Sequence, residues 1–397
     1  MTQPMSQRIQ SLTGLLGPVF QFFTNSTFAR HGSDPGAFNF ALGNPHEMPP
    51  AAFAESLRRW APPQHKDWYA YVGSTPTARA AVVQALQARR GVTYDPHDIH
   101  LTNGAFAGLA VALTTFVDPG DEVIFISPPW FFYEAMIAGA GATPVRVRVR
   151  PADFDLDLAA IAAAITPRTR VILVNSPNNP TGKIYPPATL AGLGQLLTEA
   201  SARHGRTIYL ISDEAYSRIL FDGTDFPSPT AYYPASIMLY TYGKTLLTPG
   251  QRVGYLALRP EFPGREALRG AIFGAQLLTG YAFPNALMQH ALPDLENVTI
   301  DLDHLQHKRD RMVSELRRMG YELHAPEGTF YLLPRSPLAD DWAFTELLAE
   351  YNIFVLPGAV VEMPGYFRIS LTANDAMIEG SLPGFAAALE RARQPAA

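Results

Sequence analysis

Cysteine is absent from the 397 residues of this sequence. Its absence excludes disulfide bonds, thiolate-held zinc sites and iron–sulfur clusters, and cysteine nucleophiles. Long apolar runs are missing as well. The best stretch, residues 104–117, is bounded by Asn103 and Asp118 and falls short of the roughly 18 apolar residues that a membrane helix needs. The sequence therefore predicts neither thiol chemistry nor a membrane-spanning segment.

A large excess of charge of either sign is also lacking. Lys and Arg total 31 against 36 Asp and Glu, which gives a net charge of −5, and no basic block occurs. We therefore expect no nucleic acid and no membrane as a partner. Residues 12–23 are fairly apolar, but only Arg8 precedes them and no small-residue cleavage site is evident. We interpret them as part of the folded protein rather than a signal peptide, and expect a cytoplasmic location.

Apolar material is plentiful, at 47% of residues, and two domains are expected at this length. Between about residues 95 and 260, short β-branched runs alternate with helix-length segments. Such alternation, with strands that are apolar nearly throughout, indicates an α/β fold with a mostly parallel sheet covered on both faces. The predicted strands are 98–102, 122–127, 144–149, 170–175, 207–212, 237–241 and 253–258.

The pattern changes after about residue 290. Residues 300–319 carry apolar side chains at helical spacing and end at Gly320, a typical C-cap. The shorter elements that follow predict a small α+β domain, with strands at 321–324, 329–333, 353–356 and 366–371 and a helix at 343–351. We therefore predict a large cofactor-binding domain at 46–289, and an N-terminal arm and small domain at 1–45 and 290–397. The first 45 residues show no clear period and could form an arm or join the small domain.

Chemically distinctive residues follow five of the predicted strands at the point where each one ends. In chain order they are a small-residue turn at 103–105, Trp130, amides at 175–179, a carboxylate at 213 and a lysine at 244. Ligands of open α/β sheets bind at the carboxyl ends of the strands. We therefore expect these residues to share one site.

The chemistry of this set fits pyridoxal 5'-phosphate. Lys244 would supply the amine for a Schiff base with the cofactor and then move the proton at the substrate Cα. Asp213 would keep the ring nitrogen protonated. The helix that opens at Gly104 suits a phosphate, with Arg252 as counter-charge. Taken singly, Asp213 could be a helix cap and Lys244 a surface lysine. Two histidine pairs spaced by three residues have no accompanying ligand pattern, so we expect no metal site.

Several motifs resemble the class I/II, aspartate-aminotransferase-like group of fold-type-I aminotransferases. They occur in the family's order and span about residues 40–372. The resemblance implies a pyridoxal-phosphate-dependent transferase with a mostly parallel, seven-stranded large domain and a smaller α+β domain. The motifs are 118–123 (Asp-Pro-Gly-Asp-Glu-Val), 128–130 (Pro-Pro-Trp), 178–182 (Asn-Asn-Pro-Thr-Gly), 212–216 (Ser-Asp-Glu-Ala-Tyr), Lys244 with Arg252, and 368–370 (Arg-Ile-Ser).

The resemblance implies a role toward the cofactor for each matching residue. Lys244 would carry the Schiff base, Asp213 would pair with the ring nitrogen, and Tyr216 would act beside them. Asn179 and Tyr216 are implied to contact the phenolic oxygen of the cofactor, and Trp130 is implied to cover the face of its ring. The residues implied to hold its phosphate are Gly104, Ala105, Phe106, Thr241 and Arg252.

A second group of matches concerns the substrate and the neighbouring subunit. Arg368 would hold the substrate α-carboxylate bidentately, which a lysine could not do. Gly43 would bring its backbone close to that carboxylate, and Trp130 and Asn179 would complete the substrate site. Tyr69 matches a tyrosine that reaches the phosphate of the neighbouring subunit, and Tyr71 is a less favoured register for the same match. The resemblance therefore implies a homodimer with shared active sites.

The predicted activity is transfer of an amino group between an L-amino acid and a 2-oxo acid such as 2-oxoglutarate. Phe106 stands where some aspartate-specific members of the family carry lysine. A second carboxylate on the substrate would therefore lack that cationic partner. The N-terminal arm is aromatic at Phe20, Phe22, Phe23 and Phe28. If the arm covers the pocket, we expect a neutral or aromatic substrate side chain. These phenylalanines could instead pack against the body of the protein.

Other functions stay open at this point. Aspartate aminotransferase is one alternative, because an arginine of the partner subunit could bind the second carboxylate. A pyridoxal-phosphate-dependent lyase, cyclase or oxidase of specialised metabolism would keep the same cofactor residues. A non-catalytic ligand sensor on this scaffold would need a DNA-binding domain ahead of Phe40.

Overall fold

The computed structural model describes residues 4–394. None of the helices in that range is both long and apolar enough to cross a membrane. The strands are β1 (Phe38–Asn39), β2 (Ile99–Thr102), β3 (Glu122–Ser127), β4 (Thr143–Arg148), β5 (Thr169–Asn175), β6 (Tyr209–Asp213), β7 (Ser236–Thr241), β8 (Gly254–Leu258), β9 (Tyr331–Leu332), β10 (Ile353–Phe354), β11 (Leu356–Pro357) and β12 (Phe367–Ser370).

Helices fill most of the connections between these strands. They are α1 (Gln7–Leu15), α2 (Gly17–Asn25), α3 (Thr27–His31), α4 (Ala51–Trp60), α5 (Pro76–Arg90), α6 (Gly104–Phe116), α7 (Tyr133–Gly139), α8 (Leu158–Ala164), α9 (Pro187–His204), α10 (Tyr242–Thr245), α11 (Arg265–Thr279), α12 (Ala286–Leu295), α13 (Leu302–Met319), α14 (Asp341–Ala349) and α15 (Asp375–Arg393).

Seven strands form the central sheet, in the order β2-β8-β7-β6-β5-β3-β4. Strand β8 runs antiparallel to β7 and β2, and the other neighbouring strands are parallel. The predicted α/β class with a mostly parallel, seven-stranded sheet is confirmed. Every residue of β2, β3, β7 and β8 is buried. Strand β4 lies at the edge and exposes Arg146 and Arg148, as edge strands do.

Both faces of this sheet are covered, which explains why its strands are apolar nearly throughout. Val123 and Phe125 of β3 belong to the core that includes α6, whereas Ile124 and Ile126 belong to the core that includes α9. Successive side chains of a strand point to opposite faces. A strand with helices on both sides must therefore be apolar at every position.

The smaller α+β unit is built from two short sheets and the C-terminal helices. Strand β1 pairs with β10 in parallel, and β11, β12 and β9 form an antiparallel sheet. Phe344, Phe367 and Phe385 lie in its core, and Tyr216, just beyond β6 of the central sheet, joins the same cluster. The carboxyl end of β6 therefore lies where the two units meet.

The prediction of a strand at 321–324 is wrong, because this segment has no regular structure. The buried ring of Tyr321 contacts Phe344 and Phe367, and its hydroxyl donates to the Phe385 carbonyl across 2.8 Å. A side chain rather than a strand partner therefore fixes this segment. The strands predicted at 329–333 and 366–371 are present but shorter, as β9 and β12.

The N-terminal arm forms α1, α2 and α3. Helix α1 packs on α7, beside the central sheet, whereas α2 and α3 pack on the smaller unit. Phe22 stacks on Phe28 with ring centroids 4.7 Å apart and meets Trp342 edge-on. Val360 and Val361 complete this cluster. Phe22 and Phe28 thus pack against the body of the protein, which is one of the two possibilities that the sequence left open. Phe20 is about half exposed.

Candidate active site

The site lies at the edge of the sheet where the parallel strands β2, β3, β5, β6 and β7 end. Strand β8 is antiparallel, so its beginning, with Arg252 just before it, lies at the same edge. A cavity of about 190 Å³ opens there. Nine of the predicted site residues line it, namely Ala105, Phe106, Trp130, Asn179, Asp213, Tyr216, Thr241, Lys244 and Arg252.

Asp213 is the last residue of β6 and is buried. Its Oδ2 accepts a hydrogen bond from the Tyr133 hydroxyl across 2.6 Å, and its Oδ1 accepts from the Ala215 N–H across 3.1 Å. Burial raises the pKa of the Asp213 carboxyl, although both hydrogen bonds and the charge of Lys244 oppose this effect. A buried carboxylate in this position gains from a cationic partner in the cavity.

Lys244 lies in the single helical turn α10, directly after β7. Its Nζ is 5.7 Å from the ring centroids of both Tyr216 and Phe330. Within residues 4–394 its side chain forms no salt bridge. This amine is thus held between aromatic rings without a carboxylate, as a lysine that reacts with a carbonyl requires.

The start of α6 forms a cradle for an anion. Gly104 has a φ of +82°, and a Cβ there would lie 2.8 Å from Arg252 Nη2 and 3.3 Å from Thr241 Oγ1. Asn103 precedes the helix and makes no side-chain capping bond, so the first backbone N–H groups are left for another acceptor. Burial lowers the pKa of the Arg252 guanidinium, a cost that a bound phosphate would offset.

Arg368 reaches the other side of the site from β12. It is 2% exposed. Its Nη1 donates to Asn179 Oδ1 across 3.1 Å and its Nη2 donates to the Ala41 carbonyl across 3.0 Å. Its buried Nε has no hydrogen-bond partner within the described residues. A guanidinium with donors still unused is suited to an incoming carboxylate.

Gly43 lies next to two aromatic residues of the smaller unit. A Cβ at Gly43 would come within 2.6 Å of the Tyr331 hydroxyl and 3.1 Å of the Phe330 ring. Such distances leave no room for a side chain. Glycine is therefore required by the close approach of Tyr331, in addition to any contact with a ligand.

Aromatic side chains form the remaining wall. The ring centroid of Phe106 lies 4.9 Å from that of Trp130, edge to face, and 5.5 Å from that of Phe132, stacked. Phe106 is 43% exposed because it faces the cavity. The wall carries no charged group.

The structure does not bring Tyr69 into the cavity of its own chain. Tyr69 is about half exposed and its hydroxyl donates to the Ala61 carbonyl. Tyr71 is 89% exposed and contacts Phe283. Any contact of Tyr69 with the site would have to be made in a neighbouring subunit.

Several residues near the site were not assigned a role from the sequence. Tyr133 follows Trp130 by about one helical turn, and this spacing could have indicated it. Asn175 was noted at the end of its strand; its side chain donates to the Asp213 carbonyl and accepts from the Asn179 N–H. Tyr331 and Phe330 come from the smaller unit, and no local pattern links them to the strand ends.

A roomier cavity of about 780 Å³ lies elsewhere, beside Arg90, Arg218 and Glu296. Arg90 is paired with Glu214 and Arg218 with Glu296, each across 2.6 Å. Its buried charges are thus already matched within the protein. We assign the chemistry to the smaller cavity, which contains Lys244 and Asp213.

Comparison with known proteins agrees with this geometry. The model of the family described as "Aminotransferase class I and II" matches residues 36–381. The chain belongs to the class I and II aminotransferases. It is therefore an aminotransferase enzyme, and the predicted family, fold and enzyme class are confirmed.

Individual aminotransferases resemble the chain over most of its length. It is 32% identical to the aspartate/prephenate aminotransferase of Thermus thermophilus, over 88% of this chain and 90% of the relative. An amino transferase structure from Eubacterium rectale superimposes with a TM-score of 0.90 at 27% identity, covering 99% of this chain and all of that chain. The Thermus thermophilus aspartate aminotransferase with maleate gives a TM-score of 0.81 at 26% identity, covering 98% and 100%.

Proposed function

We propose that this aminotransferase acts on L-amino acids with neutral or aromatic side chains and on a 2-oxo acid such as 2-oxoglutarate. The observation that carries this proposal is the wall of Phe106, Trp130 and Phe132. The cations at the cavity, Lys244 and Arg252, are assigned to the cofactor. A second carboxylate on the substrate would thus find no partner among the lining residues of this chain.

Aspartate is the second candidate substrate. Relatives from Thermus thermophilus and Thermotoga maritima are named aspartate/prephenate aminotransferase and aspartate aminotransferase. An arginine from a neighbouring subunit could bind the second carboxylate of such a substrate. Measuring kcat/KM for phenylalanine, tyrosine, leucine and aspartate, each with 2-oxoglutarate, separates the two candidates. Activity with aspartate alone would contradict the apolar proposal and leave transamination standing.

We propose pyridoxal 5'-phosphate as the cofactor of this cavity, because the donor set fits it. When bound, the cofactor supplies a carbonyl for amine exchange and an electron-accepting ring. Arg252, Thr241 and the N–H groups at the start of α6 would hold its phosphate. Trp130 would cover its ring, and Asp213 would hold a proton on the ring nitrogen.

The remaining residues act on the substrate. Arg368 and Asn179 would bind the α-carboxylate and thereby orient the bond between Cα and hydrogen. Lys244 would take the proton from the substrate Cα and deliver it to C4′ of the cofactor. Tyr216 and Asn179 would donate hydrogen bonds to the phenolic oxygen of the cofactor. These hydrogen bonds would tune the basicity of the nitrogen that Lys244 contributes to the bond with the cofactor.

We propose a homodimer in which Tyr69 contacts the neighbouring site. An exposed apolar patch supports this proposal; we call it the dimer patch, and it consists of Tyr71, Phe273, Leu277, Leu278 and Phe283. It adjoins Tyr69, since Tyr71 contacts Phe283 and Phe273 lies beside Gly73. Apolar patches of this kind mark protein interfaces. We also propose residues 46–289 as the large domain, and the cytoplasm as the location.

The dimer is tested by Leu278→Glu. Leu278 is 84% exposed in the single chain, so the substitution should leave its fold intact. We expect the dimer to dissociate and activity to fall with it, because each subunit would bury an unpaired charge in an apolar interface. Sedimentation velocity measures the state. Ile9→Glu on α1, also exposed but outside the dimer patch, is the control, and an undissociated Leu278→Glu dimer would contradict the assignment of the patch.

The substrate class is tested by Phe106→Lys. A cation at this position could pair with a second substrate carboxylate, and a hydrogen bond to a charged group contributes about 1.5–3 kcal/mol. We therefore expect the ratio of kcat/KM for aspartate to that for phenylalanine to rise by about tenfold or more. Phe20→Lys, on an exposed position of α2, is the control. If the ratio stays the same in a folded, cofactor-loaded variant, Phe106 does not determine specificity.

A further inference from the structure

The side chain of Tyr331 lies between the groups assigned to the substrate and those assigned to the cofactor. It is a buried residue of β9, and the Arg368 guanidinium lies over its ring at 4.2 Å from the centroid. Its hydroxyl accepts a hydrogen bond from the Tyr216 hydroxyl across 3.5 Å. It also points toward Gly43, where a Cβ would come within 2.6 Å of it.

The side chain of Tyr331 thus contacts both Arg368 and Tyr216. The ring restrains the plane of Arg368, because a guanidinium over an aromatic face is attracted to it. The hydroxyl restrains Tyr216. We propose that Tyr331 is a positioning residue that couples carboxylate binding at Arg368 to the hydroxyl of Tyr216. This inference rests on the carboxylate role proposed above for Arg368.

The charges around Tyr331 determine how carboxylate binding affects the ionisation of its phenol. Burial opposes ionisation of its phenol, but the positive charges of Arg368 and Lys244 outweigh burial, and the hydrogen bond from Tyr216 adds to them. The pKa of Tyr331 is therefore lowered. The pKa of Tyr216 is raised by burial and further by Tyr331, while Arg368 opposes the rise and Asp213 adds to it.

In the cofactor-loaded enzyme the Lys244 amine and the Tyr216 hydroxyl would both be engaged by the cofactor, so Arg368 is the cation that still favours the phenolate of Tyr331. A carboxylate bound at Arg368 neutralises that charge. The phenol then holds its proton more tightly, so binding of a carboxylate and ionisation of Tyr331 oppose each other. Coupling between two sites is reciprocal. The affinity for a carboxylate should accordingly fall as the pH rises through the pKa of Tyr331 in the unliganded enzyme.

The test uses the cofactor-loaded enzyme and 3-phenylpropionate, a carboxylate that has no amino group to transfer. Its Kd is measured by calorimetry across a range of pH, and tyrosinate formation is followed by ultraviolet difference spectroscopy with and without the ligand. We expect the Kd of the native enzyme to rise by about fivefold or more toward high pH. The tyrosine that ionises first should do so at higher pH when the ligand is bound.

Two variants isolate the hydroxyl. In Tyr331→Phe the ring under Arg368 remains, so binding should persist, but the change of Kd with pH and the earliest tyrosinate signal should both disappear. Tyr321→Phe is the matched control, because it also removes a buried hydroxyl that has one hydrogen-bond partner. Burial raises the pKa of Tyr321, and neither Arg368 nor Lys244 acts on it, so both signals should stay as in the native enzyme.

The possible outcomes distinguish failure of the role assigned to Arg368 from failure of the coupling through Tyr331. If neither 3-phenylpropionate nor the dicarboxylate succinate binds, or if the one that binds does so equally well to Arg368→Lys, the carboxylate role of Arg368 fails. If binding depends on Arg368 but Tyr331→Phe keeps the native pH dependence, only the coupling through Tyr331 is overturned.

Discussion

Replacing Lys244 with alanine is expected to lower kcat by at least about 10³-fold, since a positioned acid–base group contributes about 10²–10⁴-fold and this residue would also carry the cofactor. Lys244 is half-buried beside Tyr216 and Phe330. Among the described residues no neighbouring amine could replace it at the cavity, because the other cation lining it is Arg252. The measurement is steady-state transamination with saturating cofactor.

A second readout identifies the residue that carries the cofactor. Treatment of the native enzyme with borohydride should attach the cofactor covalently to the peptide that contains Lys244, as detected by mass spectrometry. In Lys244→Ala no peptide should be labelled, while Arg252 and Asp213 are still present to bind the cofactor. Lys66→Ala is the control, because Lys66 is highly exposed and lies far from Lys244 in the sequence. A Lys244→Ala variant within about tenfold of native kcat would contradict the assignment.

Asp213→Asn is expected to lower kcat by about 10²–10³-fold with little change in shape. An amide cannot keep a proton on the ring nitrogen by charge, and removing one partner of a buried ion pair costs about 3–5 kcal/mol. The oxygen of asparagine can still accept from Tyr133 or from the Ala215 N–H. Asp225→Asn, on the loop after β6, is the matched control.

In the cofactor-free protein Asp213→Asn should be stabilising, in contrast to its expected effect on activity. Burial raises the pKa of Asp213, so the folded state binds the proton more tightly than the unfolded state does. The ionised carboxylate therefore lowers the free energy of unfolding above that pKa, and the cost disappears as the pH falls through it. We expect Asp213→Asn to raise the melting temperature of the cofactor-free protein near neutral pH. A lower melting temperature together with native activity would contradict both parts of this assignment.

The seven-stranded sheet could be predicted closely because most of its strands are buried on both faces. A continuous apolar run such as residues 122–127 indicates that environment without any knowledge of its neighbours. The site residues at the ends of these strands were predictable for a related reason. Asp213 ends one strand and Lys244 lies in the turn after another, and the topology of a parallel sheet places all such ends at one edge.

Contacts between distant parts of the chain could not be predicted in the same way. Tyr133 donates to Asp213 over a separation of 80 residues, and nothing in either local sequence indicates the other. Tyr331 reaches Arg368 and Tyr216 only because the smaller unit packs against the end of β6. The segment at 321–324 shows the same dependence, since Tyr321 fixes it by burial rather than by strand pairing.

The sequence by itself thus determined the family, the sheet and most of the residues around the cavity, because these depend on local periodicity and on short motifs. The tertiary structure decided where the N-terminal arm packs, which groups surround Asp213 and Arg368, and that Tyr69 does not reach the site of its own chain. Those outcomes depend on side-chain packing between segments far apart in the chain. Packing of that kind is settled by shape and burial in three dimensions, which no local pattern of residues records.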